Sequence, residues 1–147
     1  NPLANMPLKL LFVASKVGDL EPLRDCPLTN IWLMSPNVVD IGALSGINLE
    51  HLWIASEKLV DISPLRGAPF EELRLSECPS ITDLSPLMEC RQLKRLMVHP
   101  NLSRQVETLR GHPSLTHILY SYPMNGWHKA KGIEQFWQEY DSRKNPR

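Results

Sequence analysis

Leu49-Glu50-His51-Leu52-Trp53-Ile54-Ala55, continued by Leu59-Val60-Asp61-Ile62-Ser63-Pro64-Leu65, is the stretch whose reading decides the fold. Its first half has the form Leu-x-x-Leu-x-Ile. Alternation of apolar residues at Leu52 and Ile54 is the mark of a short strand with one face buried. Its second half carries a different signal. The Asp61 carboxylate can accept backbone N–H groups at the start of a turn, and Pro64 follows where a missing N–H costs little. One such unit is a strand, a turn and a short helical or extended return, and it cannot bury its own apolar face.

The unit recurs on both sides. Asp83-Leu84-Ser85-Pro86-Leu87 is nearly a copy, and Asp19-Leu20-Glu21-Pro22-Leu23 and Asp40-Ile41-Gly42-Ala43-Leu44 are looser ones. The leading apolar position is held by Leu8, Leu28, Leu49, Phe70, Leu93 and Leu115, so by subtraction the repeats are 20, 21, 21, 23 and 22 residues long. The next two apolar columns are Leu11, Ile31, Leu52, Leu73, Leu96, Ile118 and Val13, Leu33, Ile54, Leu75, Val98, Tyr120. Stacked units of this kind predict a parallel sheet with the returns on its other side. The expected fold is α/β, a solenoid with a curved parallel sheet on its concave side.

In these residues the chain resembles the short leucine-rich repeats of the internalin type. The Asp-Leu-Ser-Pro-Leu units resemble more narrowly the degenerate arrays found downstream of some bacterial serine/threonine kinase domains. The resemblance covers roughly residues 3–122. It implies a binding scaffold within a larger signalling protein, and no kinase glycine loop or catalytic-loop signature accompanies it. One departure stands out. Where the family's stacking Asn is expected the chain has Lys16, Pro36, Glu57, Cys78 and Asn101. Only the last two suit that role, which predicts a less regular convex turn.

Residues 1–122 are thus read as the array and 123–147 as a C-terminal helical cap and tail. Pro123, Asn125 and Gly126 break the periodicity. Ile133, Phe136, Trp137 and Tyr140 then fall at i, i+3, i+4 and i+7, one face of an amphipathic helix. Such a helix either covers the last open repeat or docks a partner. A frayed tail is expected from Ser142. The chain begins Asn1-Pro2 already inside the repeat pattern, which suggests a piece of a longer protein.

The remaining strand positions should face away from the core. Their middle column reads Phe12, Trp32, Trp53, Arg74, Met97, Leu119. Outward strand positions are ordinarily polar, whereas contiguous exposed apolar surface marks interaction sites and Trp and Arg are frequent anchors there. The column is therefore the candidate contact surface for a protein or peptide partner. The alternative is that its aromatics stack on one another or are covered by other parts of the chain, leaving a structural spacer or intramolecular regulatory region. Beside it runs Leu10, Asn30, His51, Glu72, Arg95, His117. His51, Glu72 and Arg95 are read as the polar rim of the contact surface, or simply as a cross-strand charge ladder. On the other side Ala14, Met34, Ala55, Ser76, His99 and Ser121 are mostly small and leave room for a shallow groove.

Other chemistries find little purchase. Lys+Arg and Asp+Glu are 16 each, so the chain lacks the basic excess typical of nucleic-acid or anionic-membrane binding. No apolar run approaches the roughly 20 residues of a membrane helix. Five histidines and three cysteines raise the question of a metal, but the repeat puts His51 and His117 three strands apart, roughly 14 Å. His99 and His117 are out of step as well. Cys26, Gly46, Ala68, Cys90 and His112 fall at equivalent ends of repeats, which makes Cys26 and Cys90 packed thiols rather than nucleophiles. The expectation is a cytoplasmic, cofactor-free binding protein, not an enzyme, with an open N-terminal sheet edge that favours self-association.

Overall fold

The computed structural model describes residues 9–120, 127 and 130–145. Leu8, Ser121 and the stretch 122–126, where the array was expected to end, lie outside the described residues. Six strands form one parallel sheet in chain order: β1 (Leu10–Val13), β2 (Asn30–Met34), β3 (His51–Ala55), β4 (Glu72–Glu77), β5 (Arg95–Val98) and β6 (His117–Leu119). One helix, α1 (Ile133–Lys144), follows. The architecture is repeat-like and of α/β character.

The strand register reproduces the sequence columns. Phe12, Trp32, Trp53 and Arg74 stand opposite one another in turn, and Arg74 stands opposite Met97 and Met97 opposite Leu119. Behind them Ile31, Leu33, Leu52, Ile54, Leu73, Leu75, Leu96 and Val98 are almost wholly buried. Parallel neighbours with every second side chain in the core have little freedom to slip, because a one-residue shift would expose that whole set. The third column breaks this rule. Ala55 pairs with Glu77 instead of Ser76, because β4 carries a register irregularity between the partners of Trp53 and Ala55. That repeat is 23 residues long, two more than the 21 of the two before it, and the extra residue takes up one of them.

The returns are short 3-10 turns, neither α-helical nor extended: Glu21–Leu23, Gly42–Leu44, Ser63–Leu65 and Ser85–Glu89, with Pro100–Leu102 and Gln105–Leu109 in the last repeat. Asp61 opens its turn by accepting the Ser63 N–H at 2.7 Å and the Ser63 hydroxyl at 3.0 Å. Asp83 does the same to Ser85 at 2.8 and 2.6 Å. Both carboxyls are held below their ordinary range by those bonds. Asp19 and Asp40 each accept one N–H, from Glu21 and Gly42. A carboxylate two residues ahead satisfies an amide that the turn leaves orphaned, which is why the motif starts with Asp. Both apolar residues of the motif then turn inward, Ile62 with Leu65 and Leu84 with Leu87.

Each return ends with an N–H to the leucine carbonyl three residues back: Cys26 to Leu23, Ile47 to Leu44, Ala68 to Leu65, Cys90 to Leu87 and His112 to Leu109. Ile47, not Gly46, therefore shares the place of Cys26 and Ala68. Gly46 belongs with Asp25, Gly67 and Gly111, which all have positive φ, the conformation that turns the chain back toward the next strand.

In two repeats the stacking role falls one residue before the expected Pro36 and Glu57. Ser35 and Ser56, one position earlier, are buried and bridge neighbouring repeats, their hydroxyls donating to Val17 O and Val38 O at 2.6 Å each. Cys78, which was expected to fit the role, also bridges to the preceding repeat, but to a carbonyl within β3, with Sγ 3.3 Å from Ile54 O.

Helix α1 lies against β6. Ile133 N donates to Thr116 O at 2.7 Å, and Phe136 meets Tyr120 with ring centroids 5.8 Å apart. Ile133, Phe136, Trp137 and Tyr140 are half-buried against the end of the core. Arg110 fastens the far side, 4.3 Å over the Trp137 ring and 2.7 Å from Asp141. The helix runs on to Lys144, past the Ser142 fraying point expected from sequence, because Lys144 reaches Glu107 at 2.9 Å.

Candidate functional site

The outward face of the sheet carries one continuous run of stacked side chains. Phe12 and Trp32 meet edge to face at 6.1 Å, and Trp32 and Trp53 at 5.9 Å. The strand spacing of about 4.8 Å sets this contact, since rings on adjacent strands must tilt to pack at their preferred centroid separation. The Arg74 guanidinium then lies 5.2 Å from the Trp53 ring centre.

Arg74 is held there by Glu72, two residues back on the same strand and on the same face. Its Nε donates to Glu72 Oε1 at 2.5 Å. Glu72 is only 6% exposed, and its second oxygen faces Arg95 Nε on β5 at 3.1 Å. That second contact is an ion pair without hydrogen-bond alignment, since the Arg95 Nε–H has no acceptor among the described residues. Glu72 is thus a buried anion between two cations. It holds the stack together and does not form an exposed rim.

From Arg95 the run continues into the segment before α1. Arg95 lies 5.7 Å over the Trp127 ring, and His117 meets Trp127 edge to face at 6.1 Å. Burial and the charge of Arg95 keep the His117 imidazole below its ordinary pKa. Met97, between these groups, is 2% exposed. The face is therefore divided. Met97 on β5 is closed off, whereas over β1 and β2 the face is open, with Phe12 57% and Trp32 41% exposed. Trp53, Arg74 and Leu119 are intermediate, as is His51. The indole N–H of Trp53 is buried without an acceptor among the described residues.

Alongside the tryptophans, at the C-terminal ends of the strands, lies a groove of about 420 Å³. Met34, Ala55, Ser76 and His99 of the small-residue column line it, together with the exposed carboxylates of Glu57 and Glu77. The sequence reading placed a groove here from the small residues but missed the two acids. Glu77 ends β4 and Glu57 follows β3 by two residues, and the repeat pattern at these places does not call for an acid.

The thiols and histidines elsewhere are structural in their bonding. Cys26, Cys78 and Cys90 are free and buried. Burial pushes the Cys78 thiol up to about 11 and raises Cys90 as well. His112 Nδ1 accepts the N–H groups of Ser114 and Leu115 at 3.2 Å each, so Nε2 carries the proton and donates to Leu87 O at 2.9 Å. Among the described residues no three His, Cys, Asp or Glu side chains are grouped to hold a metal ion, and no helix is long and apolar enough to cross a membrane.

No protein-family model matches the chain. The search of curated proteins likewise finds no match.

Proposed function

We propose that this chain is a leucine-rich-repeat scaffold whose sheet forms the concave face of a solenoid and binds a protein or peptide there. The observation that carries the reading is the open aromatic pair Phe12 and Trp32, 57% and 41% exposed at the end of a braced stack. Large aromatic side chains left in water on a sheet face are unfavourable unless something covers them. Trp53, Arg74, Glu72 and Arg95 fix the rings in place before binding, so little side-chain freedom is lost on contact. The groove beside them would take a partner's side chains. A binding protein suits the chain better than an enzyme, since its three thiols are sealed and His112 is committed to a turn.

A second reading, an intramolecular regulatory or spacer region, rests on Trp127, which already covers Arg95 and His117 from the same chain. The two readings separate in one experiment. A proteome-derived display library of peptides is selected against the wild-type chain and against Phe12→Ser/Trp32→Ser, after near-UV circular dichroism has shown both to be folded. Binding reading: one sequence class is enriched, binds as a synthetic peptide, and weakens at least tenfold on the double variant. Spacer reading: nothing is enriched, or the same peptides bind both proteins equally.

A further inference from the structure

A second concave site lies at the opposite end of the molecule from the open aromatic pair. It is a cavity of about 650 Å³ between the last strand and α1. Its floor is apolar, formed by Ile118, Leu119 and Tyr120 from the end of the sheet and by Phe136 and Tyr140 from the helix. Its size falls in the range of small-molecule pockets, which run from roughly 300 to 1,000 Å³. The rim is charged and one-sided. Arg104, Lys131, Arg143 and Lys144 stand around it with a single carboxylate, Glu139, so the rim carries four positive charges against one negative.

Two of those cations are already committed, Lys131 to Glu139 at 2.6 Å and Lys144 to Glu107 at 2.9 Å. Arg104 and Arg143 make no ion pair among the described residues, although both line the cavity. Two guanidinium groups above an aliphatic and aromatic floor are complementary to a molecule with an apolar body and an anionic head. Tyr120 adds a neutral hydroxyl, since burial raises its phenol above the ordinary value. We propose that this cavity binds a medium-chain fatty acid, its carboxylate held by Arg104 and Arg143 and its chain lying on Leu119, Tyr120 and Phe136. The site is built by β6, α1 and the last return, shares Leu119 with the sheet-face column and shares no residue with the open pair Phe12 and Trp32.

The test uses the full chain and the fluorescent sulfonate 1-anilinonaphthalene-8-sulfonate, displaced by decanoate, by decanol or by decyltrimethylammonium. The expected result is saturable one-to-one binding of the dye, displaced by decanoate at concentrations at least tenfold below those of the neutral or cationic analogues. Arg104→Glu/Arg143→Glu should weaken both dye and decanoate at least tenfold, with Arg104→Gln/Arg143→Gln as the milder variant should the reversal disturb folding. Trp32→Ser should leave both affinities unchanged. The proposal is overturned by absence of saturable binding, by equal displacement with decanol, by indifference to loss of the two arginine charges, or by loss of dye binding on Trp32→Ser, which would assign the dye to the aromatic face.

Discussion

Replacing Glu72 by Gln is the sharpest test of how the sheet face is held. The substitution keeps the shape and removes the charge. It leaves Arg74 and Arg95 facing each other across the space that the carboxylate neutralised. Two contacts of this kind are each worth about 4 kcal/mol of Coulomb energy at an effective dielectric constant near 20. Most of that is offset by desolvation, and removal of one partner from a fully buried pair costs about 3–5 kcal/mol. Here the anion is buried but the arginine side chains remain 23% and 32% exposed. Water can therefore reach the cations once the anion is gone, which places the expected loss lower, at about 2–3 kcal/mol. For a chain of 147 residues that corresponds to a fall in Tm of roughly 5–12 °C. The assay is thermal and urea unfolding followed by circular dichroism, at low and at high salt. Added salt should recover part of the loss, because it screens the Arg74–Arg95 repulsion. Glu72→Met/Arg74→Met/Arg95→Met should lose less than the single variant, since an apolar trio of similar volume leaves no unpaired charge. A Tm change under 2 °C for Glu72→Gln, or a triple variant worse than the single one, would refute the view that the triad braces the aromatic stack.

Three further outcomes follow from the same geometry. Gly67 has φ +69 and an added Cβ would meet nothing within 4 Å, so Gly67→Ala should cost only the backbone term, about 1–2 kcal/mol; at the equivalent Asp25, with φ 64, Asp25→Gly should change stability by less than about 1 kcal/mol and in the stabilising direction, both read from urea midpoints. His112 is held neutral by its turn and its pKa is lowered by burial, so the unfolded chain takes up a proton near the ordinary value of 6.5 before the folded one does; stability should be full above that pH and fall as pH drops through it, and His112→Ala should flatten the profile around that pH except for the part contributed by His117. A thiol-specific reagent added to the native protein at pH 8 should label none of Cys26, Cys78 and Cys90 on the time scale of a free thiol and all three in urea, and prompt native labelling would contradict their burial.

The parts of this molecule that were legible in the sequence are those that a repeating unit repeats. A leucine column carries its own register, because each Leu or Ile that points inward forces its two neighbours outward. The assignment of Phe12, Trp32, Trp53, Arg74, Met97 and Leu119 to one line followed from that alternation alone. Alternation says which way a side chain points but not what lies above it. Met97 and Trp32 occupy equivalent positions, yet one is 2% and the other 41% exposed. A contact that alternation cannot foresee lies on the same side of the sheet: Trp127, in a stretch with no periodicity, reaches Arg95 across 32 residues of chain and meets His117 as well. Glu72 was hidden for a related reason. A polar residue in an outward column reads as solvated, and only the placement of an arginine on either side of it makes burial tolerable.

The hydroxyl bridges of Ser35 and Ser56 point to the same limit from the core side. In those two repeats counting from the strand gave the wrong residue, because the chain satisfies the adjacent backbone with a short donor one position earlier. The physical requirement, that a buried carbonyl between repeats must find a donor, was legible; the residue that meets it was not, since Ser, Cys and Asn all can from slightly different places. The same reasoning bears on what binds the open face. On the proposed binding reading, a partner would have to match two exposed rings in an edge-to-face pair beside a groove flanked by Glu57 and Glu77. An apolar side chain flat against Phe12 and Trp32, followed along the chain by a cation that reaches those carboxylates, meets that requirement; an acidic segment of equal hydrophobicity does not. Among peptides selected on this face, basic residues should therefore be enriched, and Glu57→Lys/Glu77→Lys should reduce their affinity while leaving purely apolar contacts at Trp32 intact.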